Sequence, residues 1–286
     1  MRYIDMRLRP PLPSWIGKAN FAKGIFYPVR AGFEWPPSAE ERSMELLLRE
    51  MDDAEIEYGV IMGRQSIEPL GAIPNDEIAD GIAAHPTRFL GWAGIDLSWP
   101  MDDCLSEIRR CIKQLGFKGV SIEPTIARDA TFAKADDRRL YPIYEECLRL
   151  DVPINISLSA VLQSTVNRPY ELSHPVQLYQ VAKDFPRLDI HVAHAAWPYV
   201  MEMIGVCFVC SNVWLSPDQY MIGMVPGAQE YVKAANSYFA DRTLFGTSYP
   251  SKPLTAMVRA YGEWGWATGV REKVLHANAR RLMRLS

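Results

Sequence analysis

The sequence predicts an α/β protein that forms a single (β/α)8 TIM barrel, with long βα loops at the C-terminal face. The length of 286 residues suits one barrel of about 250 residues with insertions. Eight short apolar segments recur along the chain, and each leads toward a helical pattern. Alternating strands and helices indicate a parallel sheet, and eight such units indicate a closed ring. We therefore expect one domain over residues 1–286.

The predicted strands are the eight apolar segments, taken in chain order. They cover residues 3–10, 59–64, 89–96, 116–124, 153–159, 188–194, 212–218 and 243–250. Ser38 and Glu41 have the spacing of a capping box, which predicts a helix start. Prolines at positions 74, 100 and 142 mark further helix starts, where a missing N–H costs least. The apolar stripe of residues 270–285 predicts a last helix that closes the ring.

One long segment, residues 11–37, has no helical period and is rich in aromatic residues. These are Trp15, Phe21, Phe26, Tyr27, Phe33 and Trp35. A long irregular loop is usually functional, so the segment is either a lid over a site or a contact surface between subunits. Both interpretations stay open, and the second would make the protein a homo-oligomer.

Charge and composition exclude several classes of partner. The formal net charge is -3, with 31 basic and 34 acidic residues interspersed, so no basic stripe indicates nucleic-acid binding. No apolar run reaches about 18 residues, and charged residues interrupt the N-terminus, so neither membrane association nor a signal peptide is expected. The 5 cysteines are scattered and odd in number, which favours reduced thiols. We expect a cytoplasmic protein.

The first predicted strand carries unusual charge. Side chains alternate along a strand, so Asp5, Arg7 and Arg9 share the face opposite to Ile4. The apolar face packs under helices, which turns the charged face toward the barrel axis, with Arg9 nearest the carboxyl end. Arginines in an interior are costly unless anions pair with them. The pattern predicts either a bound anion or pairing with a barrel carboxylate such as Glu123.

Five short motifs occur in a fixed order along the chain. They are Asp-Met-Arg-Leu-Arg at 5–9, Asp-Arg-Arg-Leu-Tyr-Pro-Ile-Tyr at 137–144, His-Ala-Ala-Trp-Pro at 194–198, Gly-Thr-Ser-Tyr-Pro at 246–250 and Leu-His-Ala-Asn-Ala at 275–279. In this order they resemble the amidohydrolase-related branch of the amidohydrolase superfamily, nearly end to end. The resemblance implies a barrel enzyme that is a hydrolase, decarboxylase or hydratase for small carboxylated compounds.

The same resemblance identifies the family's metal ligands, most of which are replaced in this chain. The two first-strand histidines correspond to Arg7 and Arg9, the strand-five histidine to Ser157 and the strand-eight aspartate to Ser248. Only His194 remains of the usual set. Arginine has no lone pair to give to a cation. We therefore expect no metal ion at the family position and no other cofactor.

The remaining candidate residues lie at predicted strand ends. His194 is the candidate general acid or base, because histidine titrates near neutral pH. Asp218 is either the complementary acid or base or a helix cap. Glu123 is either a general base or the counter-ion of the arginines, which would depress its pKa. The candidate substrate-binding residues are Arg7, Arg9, Arg64, Ser157, Ser248, Tyr249 and Tyr220.

These observations predict a metal-independent hydrolase or lyase that acts on a small carboxylated compound, cyclic or aromatic, such as a lactone. Lactone hydrolysis, hydration and decarboxylation all fit the residues. Two alternatives stay open. One is a metal-dependent hydrolase or decarboxylase with an unusual divalent site built from His194, Glu123 and Asp218. The other is a non-catalytic barrel that binds carboxylates.

Overall fold

The structure, a computed structural model, describes residues 2–22, 32–128 and 134–285. Its centre is a curled sheet of seven parallel strands that follow one another in chain order. The strands are β1 (Tyr3–Leu8), β2 (Ile56–Met62), β3 (Phe89–Gly94), β4 (Gly119–Ile122), β5 (Ile154–Ile156), β6 (Ile190–Ala193) and β7 (Val213–Ser216). Because every neighbouring pair is parallel, all the carboxyl ends lie at the same face.

The eighth predicted strand closes the ring as an extended segment rather than as a regular strand. Residues 243–250, called the closing segment below, lie between β7 and β1. The N–H of Leu244 donates to the carbonyl of Leu215 at 2.8 Å, and the N–H of Met6 donates to the carbonyl of Phe245 at 3.0 Å. These bonds reach both edges of the seven-stranded sheet. The predicted barrel is therefore confirmed.

Helices pack on the sheet between successive strands. They are α1 (Pro37–Glu40), α2 (Met44–Asp53), α3 (Asn75–Ala84), α4 (Met101–Lys113), α5 (Tyr141–Leu150), α6 (Ala160–Thr165), α7 (Val176–Asp184), α8 (Val200–Val209), α9 (Ala228–Ala234), α10 (Leu254–Glu263), α11 (Val270–Glu272) and α12 (Asn278–Leu282). Pro74 and Pro100 directly precede α3 and α4, and Pro142 is in the first turn of α5, as predicted. None of the described helices combines the length and apolar character needed to cross a membrane.

The predicted capping box at Ser38 is wrong. Helix α1 begins one residue earlier and has no side-chain cap. The backbone N–H and the hydroxyl of Ser38 instead donate to Glu50 of α2, at 2.9 and 2.5 Å. The cap of α2 is Ser43, whose Oγ accepts from the N–H of Leu46 at 3.2 Å. A carboxylate is a strong hydrogen-bond acceptor, and the local sequence pattern could not reveal that one on the adjacent helix lies beside Ser38.

Strand β1 places charged side chains in the protein core. All six of its residues are buried, including Asp5 and Arg7. The carboxylate of Asp5 accepts from the N–H of Arg7 at 2.9 Å, and from the N–H and hydroxyl of Thr247 at 2.9 and 2.5 Å. Asp5 thereby joins β1 to the closing segment. Burial raises the pKa of this carboxyl group.

The long aromatic segment 11–37 lies partly outside the described residues, which omit 23–31 and therefore Phe26 and Tyr27. In its described part Trp15 is buried, and Ala19–Phe21 forms a short 3-10 turn.

Candidate active site

Charged side chains from three strands meet at the carboxyl end of the barrel. Arg64 follows β2 and Glu123 follows β4, and both are buried. Nε and Nη2 of Arg64 donate to the two carboxylate oxygens of Glu123, at 2.9 and 3.0 Å. Nη2 of Arg7 lies 3.4 Å from Oε1 of Glu123, and the hydroxyl of Ser66 donates to Oε2. Both carboxylate oxygens of Glu123 thus have hydrogen-bond partners within the protein.

This arrangement favours the counter-ion role of Glu123 over the role of general base. Burial opposes ionisation of Glu123, but the charges of Arg64 and Arg7 outweigh it and lower the pKa of the carboxyl to about 2. A carboxylate with so low a pKa holds protons weakly.

Arg7 is also largely engaged within the protein. Its Nη1 donates to the hydroxyl of Ser157 at 3.1 Å and contacts the sulfur of Met62 at 2.9 Å. Ser157 in turn accepts from the side chain of Asn155 at 3.0 Å. The predicted role of Ser157 in substrate binding is therefore not supported, because its hydroxyl holds Arg7. Arg7 mainly links the walls of the barrel.

Arg9 differs from its two neighbours. Its side chain is buried, yet its guanidinium has no hydrogen-bond partner among the described residues, and Nη1 is inaccessible. Burial lowers the pKa of Arg9 well below its usual range, and the positive charges of Arg7 and Arg64 lower it further. Buried polar groups are nearly always paired in folded proteins. An unpaired buried cation at a barrel mouth indicates a position for an anion.

His194 and Asp218 form the second cluster, at the ends of β6 and β7. The backbone N–H of His194 donates to Oδ2 of Asp218 at 3.0 Å, and Nδ1 of the ring lies 3.2 Å from the same oxygen. Neither ring nitrogen makes a well-aligned hydrogen bond to any described residue. The carboxylate also accepts from the hydroxyl of Ser216. The side chain of Asp218 does not cap the short turn that it begins, so the capping alternative is not supported.

The protonation states of this pair suit proton transfer near pH 6. Burial raises the pKa of Asp218 to about 6, although the charge of Arg7 opposes the shift. Burial lowers the pKa of His194 well below its usual range, and Arg7, Arg9 and Arg64 add to this effect. A neutral imidazole therefore lies beside a carboxyl group that changes its charge near pH 6.

The backbone at these strand ends has a rare conformation. His194, Ala195 and Ala196 have φ values of 68°, 43° and 57°, and Asp218 and Ser248 have 53° and 57°. Each residue with a side chain in the left-handed region costs roughly 1 kcal/mol. Such strain concentrates at functional sites, where the surrounding structure maintains it.

The other predicted substrate-binding residues differ in their surroundings. The Oγ of Ser248 is buried and has no partner among the described residues. The hydroxyl of Tyr220 lies 2.6 Å from the hydroxyl of Ser159, and its ring stacks on Trp197 at 4.8 Å. Tyr220 therefore offers an aromatic wall near His194 rather than a free hydroxyl.

Tyr249 does not support its predicted role. Its hydroxyl lies 2.5 Å from the Oγ of Ser38, beside Glu50 of α2, so the ring points into the helix layer. The backbone carbonyl of Tyr249 accepts from the N–H of Arg9 at 3.2 Å, and this bond fixes the closing segment to the residue after β1.

Three polar residues of the site were missed from the sequence. Ser216 and Ser66 each lie two positions from a recognised residue, Asp218 and Arg64, and that spacing was an available signal. Asn20 comes from the aromatic segment, and its Oδ1 accepts from Nη1 of Arg64 at 3.2 Å. No local pattern indicated this contact.

The described residues do not fit a divalent metal ion. No group of three histidine, cysteine, aspartate or glutamate side chains in residues 2–22, 32–128 and 134–285 could hold one. Of the three proposed metal ligands, His194 and Asp218 contact each other. Both carboxylate oxygens of Glu123 accept hydrogen bonds from arginine and serine. Guanidinium groups also repel a cation and offer it no lone pair. The alternative divalent site at His194, Glu123 and Asp218 is therefore not supported.

Comparison with known proteins identifies the family. The family model described as Amidohydrolase matches residues 35–285. The gamma-resorcylate decarboxylase of Polaromonas sp. (strain JS666 / ATCC BAA-500) is 35% identical over 255 residues, which are 74% of this chain and 75% of that protein. Among the curated relatives the matched share of the relative's own length runs from 33% to 78%.

Two solved structures share the fold. The uncharacterized TIM-barrel protein Bb4693 from Bordetella bronchiseptica has a TM-score of 0.89 and 35% identity, with 99% of both chains covered. A dihydroxybenzoic acid decarboxylase from Polaromonas sp. JS666, solved with manganese and 2-nitroresorcinol, has a TM-score of 0.69 and 19% identity, with 99% and 97% covered. This second likeness shows the fold alone. On the family match, the chain belongs to the amidohydrolase family and is a hydrolase or lyase.

Proposed function

We propose that this enzyme acts on a small cyclic or aromatic carboxylate by acid–base chemistry, without a divalent metal ion. The observation that supports the proposal is the buried guanidinium of Arg9, which has no hydrogen-bond partner in the part of the chain that the structure describes. A substrate carboxylate would complete its hydrogen bonds and neutralise its charge, and a charge-assisted pair of this kind is among the strongest polar contacts in proteins. Arg7 and Arg64 add positive potential but remain bound to Glu123.

His194, Asp218 and Ser248 supply the rest of the proposed chemistry. Asp218 changes its charge near pH 6, so below about this pH it can deliver a proton and above it can accept one. Neutral His194 can accept or donate a hydrogen bond, because Nε2 has no partner among the described residues and Nδ1 only approaches Oδ2 of Asp218, at 3.2 Å. The hydroxyl of Ser248, which no described residue engages, is a further donor for a substrate oxygen. Tyr220 and Trp197 give a flat surface beside them.

The first candidate reaction is decarboxylation of an aromatic acid. It is named in the relative that is 35% identical over 74% of this chain. Decarboxylation replaces the carboxylate by a proton: a proton adds to the ring carbon that bears the carboxylate, and the carbon–carbon bond then breaks to release carbon dioxide. In the proposed mechanism, protonated Asp218 supplies that proton. The active form is then the protonated carboxyl group.

The second candidate is addition of water to a carboxylated lactone or alkene. Tight binding of the leaving carboxylate by Arg9 would stabilise the ground state of a decarboxylation, whereas only interactions stronger in the transition state accelerate a reaction. If the carboxylate is instead a fixed handle, Arg9 does not oppose the chemistry. Asp218 or His194 would then act as the base for water. A relative from Sphingobium sp., 28% identical over 48% of this chain, is named as a hydratase.

The test combines elemental analysis with a substrate panel. The protein is purified without added chelator or metal, and its zinc and manganese are counted by mass spectrometry. Release of carbon dioxide from 2,6-dihydroxybenzoate and turnover of carboxylated lactones and alkenes are then measured before and after treatment with a chelator. We expect turnover that the chelator leaves unchanged. Stoichiometric metal, together with loss of activity on chelation, would contradict the metal-independent mechanism.

A further inference from the structure

We propose that Asn20 is a positioning residue that keeps Arg64 on Glu123 and thereby leaves Arg9 free for substrate. The inference deepens the proposed function and rests on it, because it treats the arginine cluster as the substrate pocket. Asn20 is 5% exposed and lies in the 3-10 turn Ala19–Phe21, far along the chain from the residues that it contacts.

Asn20 completes the hydrogen bonds of Arg64. Nε and Nη2 of Arg64 donate to Glu123, and Nη1 donates to Oδ1 of Asn20 at 3.2 Å. On its other side, Nδ2 of Asn20 donates to the hydroxyl of Ser251 at 3.3 Å, next to the closing segment. One amide therefore bridges Arg64, two residues past the end of β2, and Ser251, the residue after the closing segment. The amide suits this place because it accepts on one side and donates on the other.

The backbone around Asn20 is held to the loop that follows β2. Nζ of Lys18 lies 2.6 Å from Oε1 of Glu68, and the N–H of Ala19 donates to the carbonyl of Pro69 at 3.0 Å. The side chain of Lys18 passes so close to Gly71 that a Cβ there would come within 2.7 Å of it. Residues 18–21 therefore form a strap, fixed to the β2 loop and, through Asn20, to Ser251.

The strap affects the substrate pocket because it prevents Glu123 from competing with the substrate carboxylate for Arg9. Without Asn20, Nη1 of Arg64 would be a buried donor with no acceptor, which favours movement of the guanidinium away from its present position. Glu123 would then keep only Arg7, at 3.4 Å, as a charged partner. Glu123 belongs to the same buried cluster as Arg9, and its negative charge raises the pKa of Arg9 against the effect of burial. A released Glu123 would pair with Arg9 and displace the substrate carboxylate.

Chemical modification of arginines tests this role without any substrate. Wild type, Asn20→Ala and Asn20→Asp are treated with phenylglyoxal, and adducts at individual arginines are counted by peptide mass spectrometry. We expect Arg64 to react about tenfold faster in Asn20→Ala, since a hydrogen bond to a charged group is lost. Asn20→Asp keeps an acceptor for Arg64 and should restore protection. Arg88, which is partly exposed, is the internal reference.

Asn75→Ala is the matched control. Asn75 is also 5% exposed, and its side chain hydrogen-bonds the backbone of Gly94 at 2.9 and 3.0 Å and Glu107 at 2.7 Å, outside the arginine cluster. This variant should lose comparable packing but leave Arg64 protected. Equal exposure of Arg64 in both alanine variants, or no change in Asn20→Ala, would overturn the proposal. Asn20→Ser, too short to reach Arg64, repeats the comparison should the alanine variant not fold.

A binding measurement separates this inference from the proposed function. Calorimetry with 2,6-dihydroxybenzoate should show affinity about tenfold weaker in Asn20→Ala than in wild type, with Asn20→Asp and Asn75→Ala close to wild type. Failure of the wild type to bind this probe would count against the proposed substrate class. The reactivity of Arg64 would still decide the role of Asn20.

Discussion

Arg64 holds both carboxylate oxygens of Glu123, at 2.9 and 3.0 Å, and this pairing divides the positive charges at the barrel mouth into two kinds. Arg64 is buried with its counter-ion. Arg9 is buried in the same cluster, and no residue within 2–22, 32–128 or 134–285 pairs with it. Removing a paired charge and removing an unpaired charge have opposite effects on a folded protein, so the two arginines are expected to behave differently.

Replacement of Arg9 should separate stability from function. Arg9→Met removes an unpaired buried cation while keeping an unbranched side chain, so the free energy of unfolding should rise by about 1–3 kcal/mol. Binding of 2,6-dihydroxybenzoate should weaken by about 100-fold, because a charge-assisted contact is lost. Urea denaturation and calorimetry measure the two effects.

Arg64→Met is the comparison for that experiment. It leaves Glu123 with a weakened set of partners, so it should lower the free energy of unfolding by about 3 kcal/mol. A stability loss of the same size in Arg9→Met would mean that Arg9 has a counter-ion and is not the free anion site.

Gly246 should be essential for the position of Asp218. A Cβ at Gly246 would come within 2.4 Å of Oδ1 of Asp218 and 3.3 Å of the Cβ of Arg7. Gly246→Ala must therefore displace the carboxylate, and we expect turnover to fall about 100-fold, as misplacement of a proton donor typically costs. Steady-state kinetics measures the loss. Gly205→Ala is the control, because a Cβ there meets nothing within 4 Å and should leave turnover unchanged.

The pH dependence of the reaction should report Asp218. Its pKa of about 6 means that the carboxyl group is protonated below this pH and ionised above it. If Asp218 donates a proton, kcat should fall as the pH rises through about 6; if it accepts one, kcat should rise over the same range. Asp218→Asn should lose about 100-fold in kcat and also lose this inflection. An unchanged profile in the variant would assign the inflection to another group.

His191 should contribute to acid sensitivity of the fold. It lies within the barrel, hydrogen-bonded to Asn155 at 2.9 Å, and burial lowers its pKa to about 3. Its folded pKa is below the unfolded value, so the unfolded chain binds more protons and stability is lost as the pH falls from about 6.5 toward 3. His191→Asn should reduce the stability lost between pH 6.5 and 5 by about 2 kcal/mol.

Urea denaturation at a series of pH values measures the effect of His191. His85→Asn, at the less buried end of α3, is the control and should follow the wild-type curve. A wild-type slope retained in His191→Asn would show that other groups, such as His194, dominate the acid response.

Regular alternation made part of this site predictable. The shared direction of Asp5, Arg7 and Arg9 followed from a period of two over β1 and the residue after it, and Arg7 does contact Ser157 and Glu123 inside the barrel. Tyr249 was predicted to bind substrate because it ends the eighth predicted strand, but the closing segment is not a regular strand and the Tyr249 hydroxyl lies beside Ser38 in the helix layer. Spacing along a strand gives direction, but only where the strand is regular.

Pairing among the charges was not predictable from the sequence. Three arginines and several carboxylates converge at the mouth, and the side-chain geometry decides that Arg64, rather than Arg9, takes Glu123. The contact between Asn20 and Arg64 joins an irregular segment to a strand end 44 positions away. Contacts of this kind depend on tertiary packing and have no local pattern.

The left-handed backbone at His194, Ala195, Ala196, Asp218 and Ser248 has a consequence for protein engineering. Glycine adopts that conformation without steric cost. Variant libraries selected only for heat resistance would therefore enrich glycine at these five positions and erase the side chains of His194, Asp218 and Ser248 with it. Libraries selected for turnover should reject the same substitutions, so the two selections would diverge at this face of the barrel first.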